Sequence, residues 1–291
     1  MDTSGCFLCD IHASVPRSSF SCRQCGASLD LQDHIFSPRC ENGSTANNYP
    51  NEAGKQLSVL EETSLWFRHR NEVILDLVEK YPPSGPIIDV GGGNGFVSRH
   101  LEGHGFQTVL VEPLAGGTSI AQSRGLSKIV QGQFGELGCV RSIHAVGLFD
   151  VLEHLDEPGE LLQQIRQALD PGGLVYVTVP ACRWLWSTAD AFAGHRVRYT
   201  MDSLYHLFHS CGYQPVHSSH FFTTLILPIL LFRVIPTRLR LRRDQSIRSF
   251  EFELPMLLRW VTNGYLRVEQ QVLKRMTIPF GSSIAAVFER R

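Results

Sequence analysis

The chain has 291 residues, 43% of them hydrophobic and 10% aromatic, enough for one large α/β domain with a small appendage and too apolar for global disorder. Lysine plus arginine number 27 against 28 aspartate plus glutamate, a net charge of −1, so no overall basic field draws the chain onto nucleic acid. The opening MDTSGCFLCD lacks the basic-then-apolar pattern of a signal peptide. The nearest approach to a membrane span, Phe221 to Phe232, is 12 residues with Pro228 inside it, short of the roughly 18–20 that a bilayer needs. These features predict a soluble, cytoplasmic protein.

Residues 1–44 hold Cys6-x2-Cys9 and Cys22-x2-Cys25, twelve residues apart, with few large apolar side chains. Such a segment cannot fold on hydrophobic burial alone. Four thiolates in two close pairs suit tetrahedral zinc, and full thiolate coordination makes the site structural. Cys40, His12 and His34 are spare potential ligands, and no βαβ pattern flanks the pairs to suggest a redox motif. Thr45 to Gly54 reads as a linker. From Gln56 to Tyr81 apolar residues recur at helical spacing (Leu60, Trp66, Phe67, Val73, Ile74, Leu77, Val78), and Pro82 to Pro86 stops the helix.

Strands and helices then alternate. Strands are predicted at Ile87–Val90, Thr108–Val111, Lys128–Val130, Ile143–Phe149 and Leu174–Val179, with helices at Phe96–Glu102, Leu161–Leu169 and Met201–Cys211. Val216–Phe222 and Ile284–Glu289 are the last strands. Such alternation implies βαβ units and a sheet covered on both faces. IIDVGGGNGF puts Gly91, Gly93 and Gly95 directly after a strand and before a helix, where glycine permits positive φ and close approach of backbone amides to a ligand. A dinucleotide fingerprint would need glycine at Phe96. The loop fits a nucleoside ligand without a pyrophosphate, and Glu112, ending the next strand, is placed to accept from two ribose hydroxyls.

With Asp89 before the loop, and with LFDVLEHLDEP (Leu148 to Pro158), LDPGGLVYVTVP (Leu169 to Pro180), LWSTAD and GHRVRYT (within Leu185 to Thr200) following in order, the chain resembles a class I S-adenosylmethionine-dependent methyltransferase from about Glu61 to Arg291. The last two motifs and TSLWFRHRN (Thr63 to Asn71) are similar to a bacterial subgroup associated with glycan, lipid or secondary-metabolite methylation. The resemblance implies a Rossmann-like seven-stranded mixed sheet over 83–291, preceded by the zinc-ribbon-like segment (1–44) and by a linker and capping helix (45–82). It implies that Asp89, Gly91, Gly93 and Gly95 hold the methionine part of S-adenosylmethionine, with Asn94 and Phe96 also binding the cofactor. Glu112 takes the ribose, Pro113 and Leu114 flank the adenine, and Gln133 and Phe134 lie near its amine. Phe149 and Asp150 close the fourth strand beside the cofactor. His144 stands where the family commonly has Asp, and a surface or strand-edge role is expected of it.

Methyl transfer needs alignment of nucleophile, methyl and sulfur, and a base only if the acceptor must lose a proton early. His154 and His195 are the candidate catalytic residues, with ordinary structural imidazoles as the plainer alternative. Asp190, Arg196, Arg198 and Tyr199 complete a polar cluster around His195. Trp66, Arg68 and Arg70 are placed to cap the cofactor site, and Trp184 and Trp186 to line an acceptor pocket. The expected acceptor is a small molecule, sugar or lipid-linked glycan. The rival readings are an RNA methyltransferase using the ribbon for RNA, and a non-catalytic cofactor-binding subunit. Only Arg17, Arg23 and Arg39 are basic in the first 44 residues, which disfavours nucleic acid. Residues 223–281 form an α-helical insertion before the last strand. Its apolar run is followed by Arg233, Arg238, Arg240, Arg242, Arg243 and Arg248, a pattern suited either to a lid or to peripheral contact with an anionic membrane at the inner face.

Overall fold

The computed structural model describes residues 6–8, 18–38, 58–137, 142–239 and 256–291, with only the backbone of 232 and 256–259. Ten strands form one sheet: β1 (Phe20–Ser21), β2 (Ser28–Gln32), β3 (Ile35–Pro38), β4 (Ile87–Val90), β5 (Thr108–Glu112), β6 (Ile129–Gln131), β7 (Ile143–Phe149), β8 (Leu169–Pro180), β9 (Tyr213–Phe221) and β10 (Ser283–Arg290). Their spatial order is β1-β2-β3-β6-β5-β4-β7-β8-β10-β9. The strands from β4 to β8 pair in parallel, and β10 runs antiparallel to both neighbours. The expected seven strands are therefore the central and far part of a larger sheet. The correction comes from the N-terminal segment, whose antiparallel meander adds β3 to the edge strand β6 through Phe36 opposite Val130. An uncovered edge strand is a liability, and here the cysteine-bearing segment covers it.

Helices α1 (Leu65–Lys80), α2 (Phe96–Gly103), α3 (Ala115–Ser123), α4 (Pro158–Ala168), α5 (Thr188–Phe192), α6 (Met201–Ser210) and α7 (Met256–Leu273) flank the sheet. The parallel strands are buried on both faces, as their unbroken apolar runs require. On one face Ile88, Val109, Val146 and Val177 pack with Ile165 of α4, Phe208 of α6 and the N-terminal Phe7, Leu8 and Phe36. On the other, Ile87, Ala145, Tyr176 and Val287 pack with Ile74 and Val78 of α1, Leu101 of α2 and Leu266 of α7. Phe7, Leu8, Leu29 and Phe36 have no exposure. The cysteine-bearing segment thus shares its core with the large domain.

The helix expected from Gln56 is divided. Residues 58–63 are helical, Ser64 is extended, and its hydroxyl accepts from the Trp66 amide at 3.1 Å to cap α1. The 223–281 insertion is helical where described: Ile226 to Arg238, with a π-helical stretch at Leu230–Val234, then α7. Glu269 of α7 pairs with His69 of α1 at 2.8 Å and accepts from the Phe222 and Thr223 amides. The far half of the insertion is thereby tied to α1 and to the exit of β9.

Candidate active site and metal centre

The glycine loop leaves β4 at the carboxyl edge of the sheet, the edge at which open α/β sheets bind ligands. Gly91, Gly93 and Gly95 all have positive φ, at 70°, 55° and 68°. Their surroundings differ. A Cβ on Gly91 would lie 3.2 Å from Val151 and one on Gly95 2.4 Å from Leu126, whereas nothing lies within 4 Å of one on Gly93. Gly91 and Gly95 serve the packing of the turn, and Gly93 opens onto free space.

Asp89, the third residue of β4, has no exposure. Its Oδ2 accepts from the Ser98 hydroxyl at 2.6 Å, while Oδ1 is buried without a hydrogen-bond partner. Burial raises its pKa to about 6, against the Ser98 hydrogen bond and the Arg70 charge. Glu112 accepts from the Gly93 amide and the Leu114 amide, each at 2.9 Å, and burial pushes its pKa up despite both bonds. A carboxylate offers about four lone-pair positions, so two remain for ribose hydroxyls. The α3 segment closes over this strand end: a Cβ on Gly117 would stand 2.8 Å from the Gly93 carbonyl oxygen. Pro113 is exposed and Leu114 half-buried beyond Glu112; Phe134 is buried and Gln133 exposed past β6. Asn94 is otherwise engaged. Its side chain donates to Glu61 at 3.2 Å, and Glu61 pairs with Arg124 at 2.9 Å. Phe96 receives the Arg124 guanidinium over its ring at 5.2 Å.

The neighbouring strand end carries the second half of the site. Phe149 is buried, and Asp150 follows at φ 58°. Arg70 of α1 donates to Asp150 at 2.6 Å and lies 5.3 Å from the ring centres of Trp66 and Phe67. Trp66 in turn stacks on Phe222 at 5.4 Å. Of the three residues expected to cap the cofactor site, Trp66 and Arg70 join this cluster beside Asp150, while Arg68 is exposed. His154 and His195, 41 positions apart, meet with ring centres 4.9 Å apart. The Arg196 amide donates to the Glu153 carbonyl at 2.6 Å, stapling the two loops. Asp190, 2% exposed, accepts from His195 Nδ1 at 3.1 Å and from Arg198 at 2.7 Å. It also closes the capping box of α5 with Ser187. His154 has its pKa lowered by burial and by the neighbouring His195. Glu153, beside His154, is fully buried. Trp184 and Trp186 are 48% and 37% exposed beside this loop, and Arg238 of the insertion donates to the Trp184 carbonyl. His144 sits away from the site, paired with Asp170 at 3.2 Å.

In the N-terminal segment, Cys6, Cys22 and Cys25 bring their sulfurs within 4.8 Å of one another, with Cys6 and Cys25 3.6 Å apart. Tetrahedral zinc with bonds of about 2.3 Å separates its sulfurs by about 3.8 Å, so the spacing fits. The Cys25 amide donates to Cys22 Sγ at 3.5 Å, and Gly26 takes φ 82° in the knuckle. Cys9, Cys40 and His12 lie outside the described residues; His34 is exposed in the β2–β3 turn and is not part of the cluster.

A family model described as a methyltransferase domain matches residues 66–218, just over half of the chain. The chain belongs to this methyltransferase family. Solved structures share its fold. A SAM-dependent methyltransferase from Archaeoglobus fulgidus is 15% identical, with a TM-score of 0.51 over 81% of this chain and 99% of that one. A Thermotoga maritima SAM-dependent methyltransferase, described as a possible histamine N-methyltransferase, is 14% identical, with a TM-score of 0.52 over 82% and 97%. A Haemonchus contortus phosphoethanolamine N-methyltransferase, solved with S-adenosylhomocysteine, gives 14% and 0.51 over 83% and 58%. No curated protein matches the sequence. The fold is thus that of S-adenosylmethionine-dependent methyltransferases, and among the described residues no helix is long and apolar enough to cross a membrane.

Proposed function

We propose that this methyltransferase moves the methyl group of S-adenosylmethionine to a small molecule, a sugar or a lipid-linked glycan. The observation that carries this reading is the pairing, at one sheet edge, of an open glycine turn with two buried carboxylates. Asp89 Oδ1 lacks a partner, and burying such an oxygen is costly unless a ligand satisfies it; the cofactor's ammonium group is such a ligand. Glu112 keeps lone pairs for the ribose, and Gly93 faces open space. The cofactor supplies an electrophilic methyl on a sulfonium. The chain's own contribution is alignment: Arg70 fixes Asp150, and the stapled loops hold His154 and His195 at the acceptor side.

Isotope-labelled S-adenosylmethionine incubated with the protein and fractionated cell extract tests the acceptor. Label in the small-molecule or lipid fraction supports the reading; label in RNA alone favours the rival in which the ribbon binds RNA, and none anywhere favours a non-catalytic subunit.

For the ribbon, we infer that Cys6, Cys9, Cys22 and Cys25 hold one structural zinc. Thiol-specific modification of reduced protein should release about one zinc per chain, as four thiolates require; release of none would remove the metal.

For the insertion, the favoured role is contact with an anionic membrane. Leu227, Leu231, Ile235 and Leu239 repeat every four residues and are 60%, 46%, 37% and 62% exposed, a stripe on one helical side. Trp260, Tyr265 and Val268 are exposed on α7. Arg240, Arg242, Arg243 and Arg248 lie outside the described residues. Each basic group near an anionic surface adds about 1 kcal/mol, so co-sedimentation with anionic vesicles should weaken with salt; wild-type protein left in the supernatant at low salt would make the segment a lid.

A further inference from the structure

The acceptor side holds a buried carboxylate that no hydrogen bond explains. Among the described residues neither Glu153 oxygen has a hydrogen-bond partner, and both are buried. Around it, Asp150 adds negative charge, while the nearby cations are already engaged: Arg70 with Asp150 and Arg198 with Asp190. An isolated buried carboxylate costs several kcal/mol unless it is neutralised or paired.

Two imidazoles converge on this carboxylate. A Glu153 oxygen and one nitrogen from each of His154 and His195 all lie within 4.8 Å of one another. His195 is also oriented from behind: it gives Nδ1 to Asp190, which Arg198 and Ser187 fix in turn, and this leaves its Nε2 for a ligand. A carboxylate behind the imidazole is the support that metal-binding histidines receive. The His154 ring lies against that of His195 with centres 4.9 Å apart, and its Nδ1 would stand 3.7 Å from a Cβ on Gly194. Bonds of about 2.1 Å to a shared ion would bring the three donors to about 3–4 Å from one another. His154 is on the exposed side of this cluster.

We propose that Glu153, His154 and His195 form a divalent-cation site at the acceptor side of the cofactor pocket. Two nitrogens and one carboxylate suit a borderline ion such as manganese, iron, cobalt or zinc, and three protein donors leave coordination positions open. The proposal rests on the methyltransferase reading and deepens it: an acceptor carrying a hydroxyl takes an open position. The cation lowers the proton affinity of that oxygen. The hydroxyl proton passes to solvent, the oxygen lone pair forms the new O–CH3 bond, and the S–CH3 pair stays on sulfur to give S-adenosylhomocysteine. The site differs in kind from the cysteine cluster, whose thiolates select softer ions.

Manganese(II) is the probe, because thiolates disfavour it. Full-length protein saturated with S-adenosylhomocysteine is titrated with Mn2+, and free ion is read from its electron paramagnetic resonance signal. Wild type should bind one Mn2+ per chain. Glu153→Gln and His154→Ala should each weaken binding tenfold or more, with S-adenosylhomocysteine affinity by calorimetry unchanged. His154 is on the exposed rim, so its variant remains informative if Glu153→Gln fails to fold. Cofactor binding by wild type without saturable Mn2+ binding overturns the cation site and leaves the methyltransferase reading standing. Equal Mn2+ affinity in wild type and both variants overturns it as well, by placing the ion elsewhere. Folded wild-type protein that takes up no S-adenosylhomocysteine overturns the reading beneath it.

Discussion

The two halves of the site lie at the same edge of the sheet but are built differently. The cofactor half comes from a single βαβ unit: Asp89, the glycine turn and Glu112 fall within 24 residues, and backbone amides make the decisive contacts. The acceptor half is drawn together from distant segments. Arg70 reaches Asp150 across 80 positions, and His195 meets His154 across 41. Its contacts are between charged side chains. Local backbone geometry therefore sets the first half, and tertiary packing of polar groups sets the second. One fold can keep cofactor chemistry constant while the acceptor side varies.

The largest effect that would break this contrast concerns Arg198. Removing it leaves Asp190 buried with His195 and Ser187 as its remaining side-chain partners, and breaking a buried pair costs about 3–5 kcal/mol. Arg198→Ala should lower the urea midpoint accordingly while cofactor affinity survives in the folded fraction. A loss below 1 kcal/mol would mean that the acceptor half is not held by this ion pair.

The cofactor half has its own signature in pH. Asp89 has a folded pKa of about 6 against 3.8, so its protonated form stabilises the ligand-free protein at low pH. That stability is fully present below about pH 4 and is lost as pH rises through about 6, by roughly 3 kcal/mol at most. Asp89→Asn should flatten this drift in unfolding curves measured from pH 4 to 7. Cofactor, whose ammonium group pairs with the ionised form, should bind wild type more tightly above pH 6. Parallel stability curves for wild type and variant would remove the buried charge from the account.

At the small end stands His144, whose partner Asp170 is 37% exposed. Exposed pairs are worth about 0–1 kcal/mol, so His144→Ala should change stability by roughly 0.5 kcal/mol or less and leave cofactor affinity alone. A loss of cofactor binding would show that the strand position matters to the site.

What the sequence revealed follows the same division. β4 and β7 run from Ile87 to Val90 and from Ile143 to Phe149, the bounds that apolar runs between punctuating residues predict. The Gly91, Gly93 and Gly95 turn was legible because positive φ has a residue signature. Helix α3 was not: AGGTSIAQS is rich in weak helix formers, and burial of Thr118 and Ala121 holds it in place. Strands β1 to β3 are short and polar, and they are strands because they pair along the β6 edge. Asn94 lies in the loop, and the contact of its side chain with Glu61, 33 positions away, has no local pattern to announce it. Burial without a partner, as at Glu153, is invisible in a sequence.

The central claim, that the β4 and β5 ends hold S-adenosylmethionine, is tested most directly by calorimetric titration of S-adenosylhomocysteine into wild type and Glu112→Ala. The account predicts saturable binding at one site per wild-type chain. In the variant, loss of hydrogen bonds to a charged group weakens binding by about 1.5–3 kcal/mol, roughly 10–150-fold. Folded wild type that binds nothing, or a folded variant that binds equally well, would contradict it.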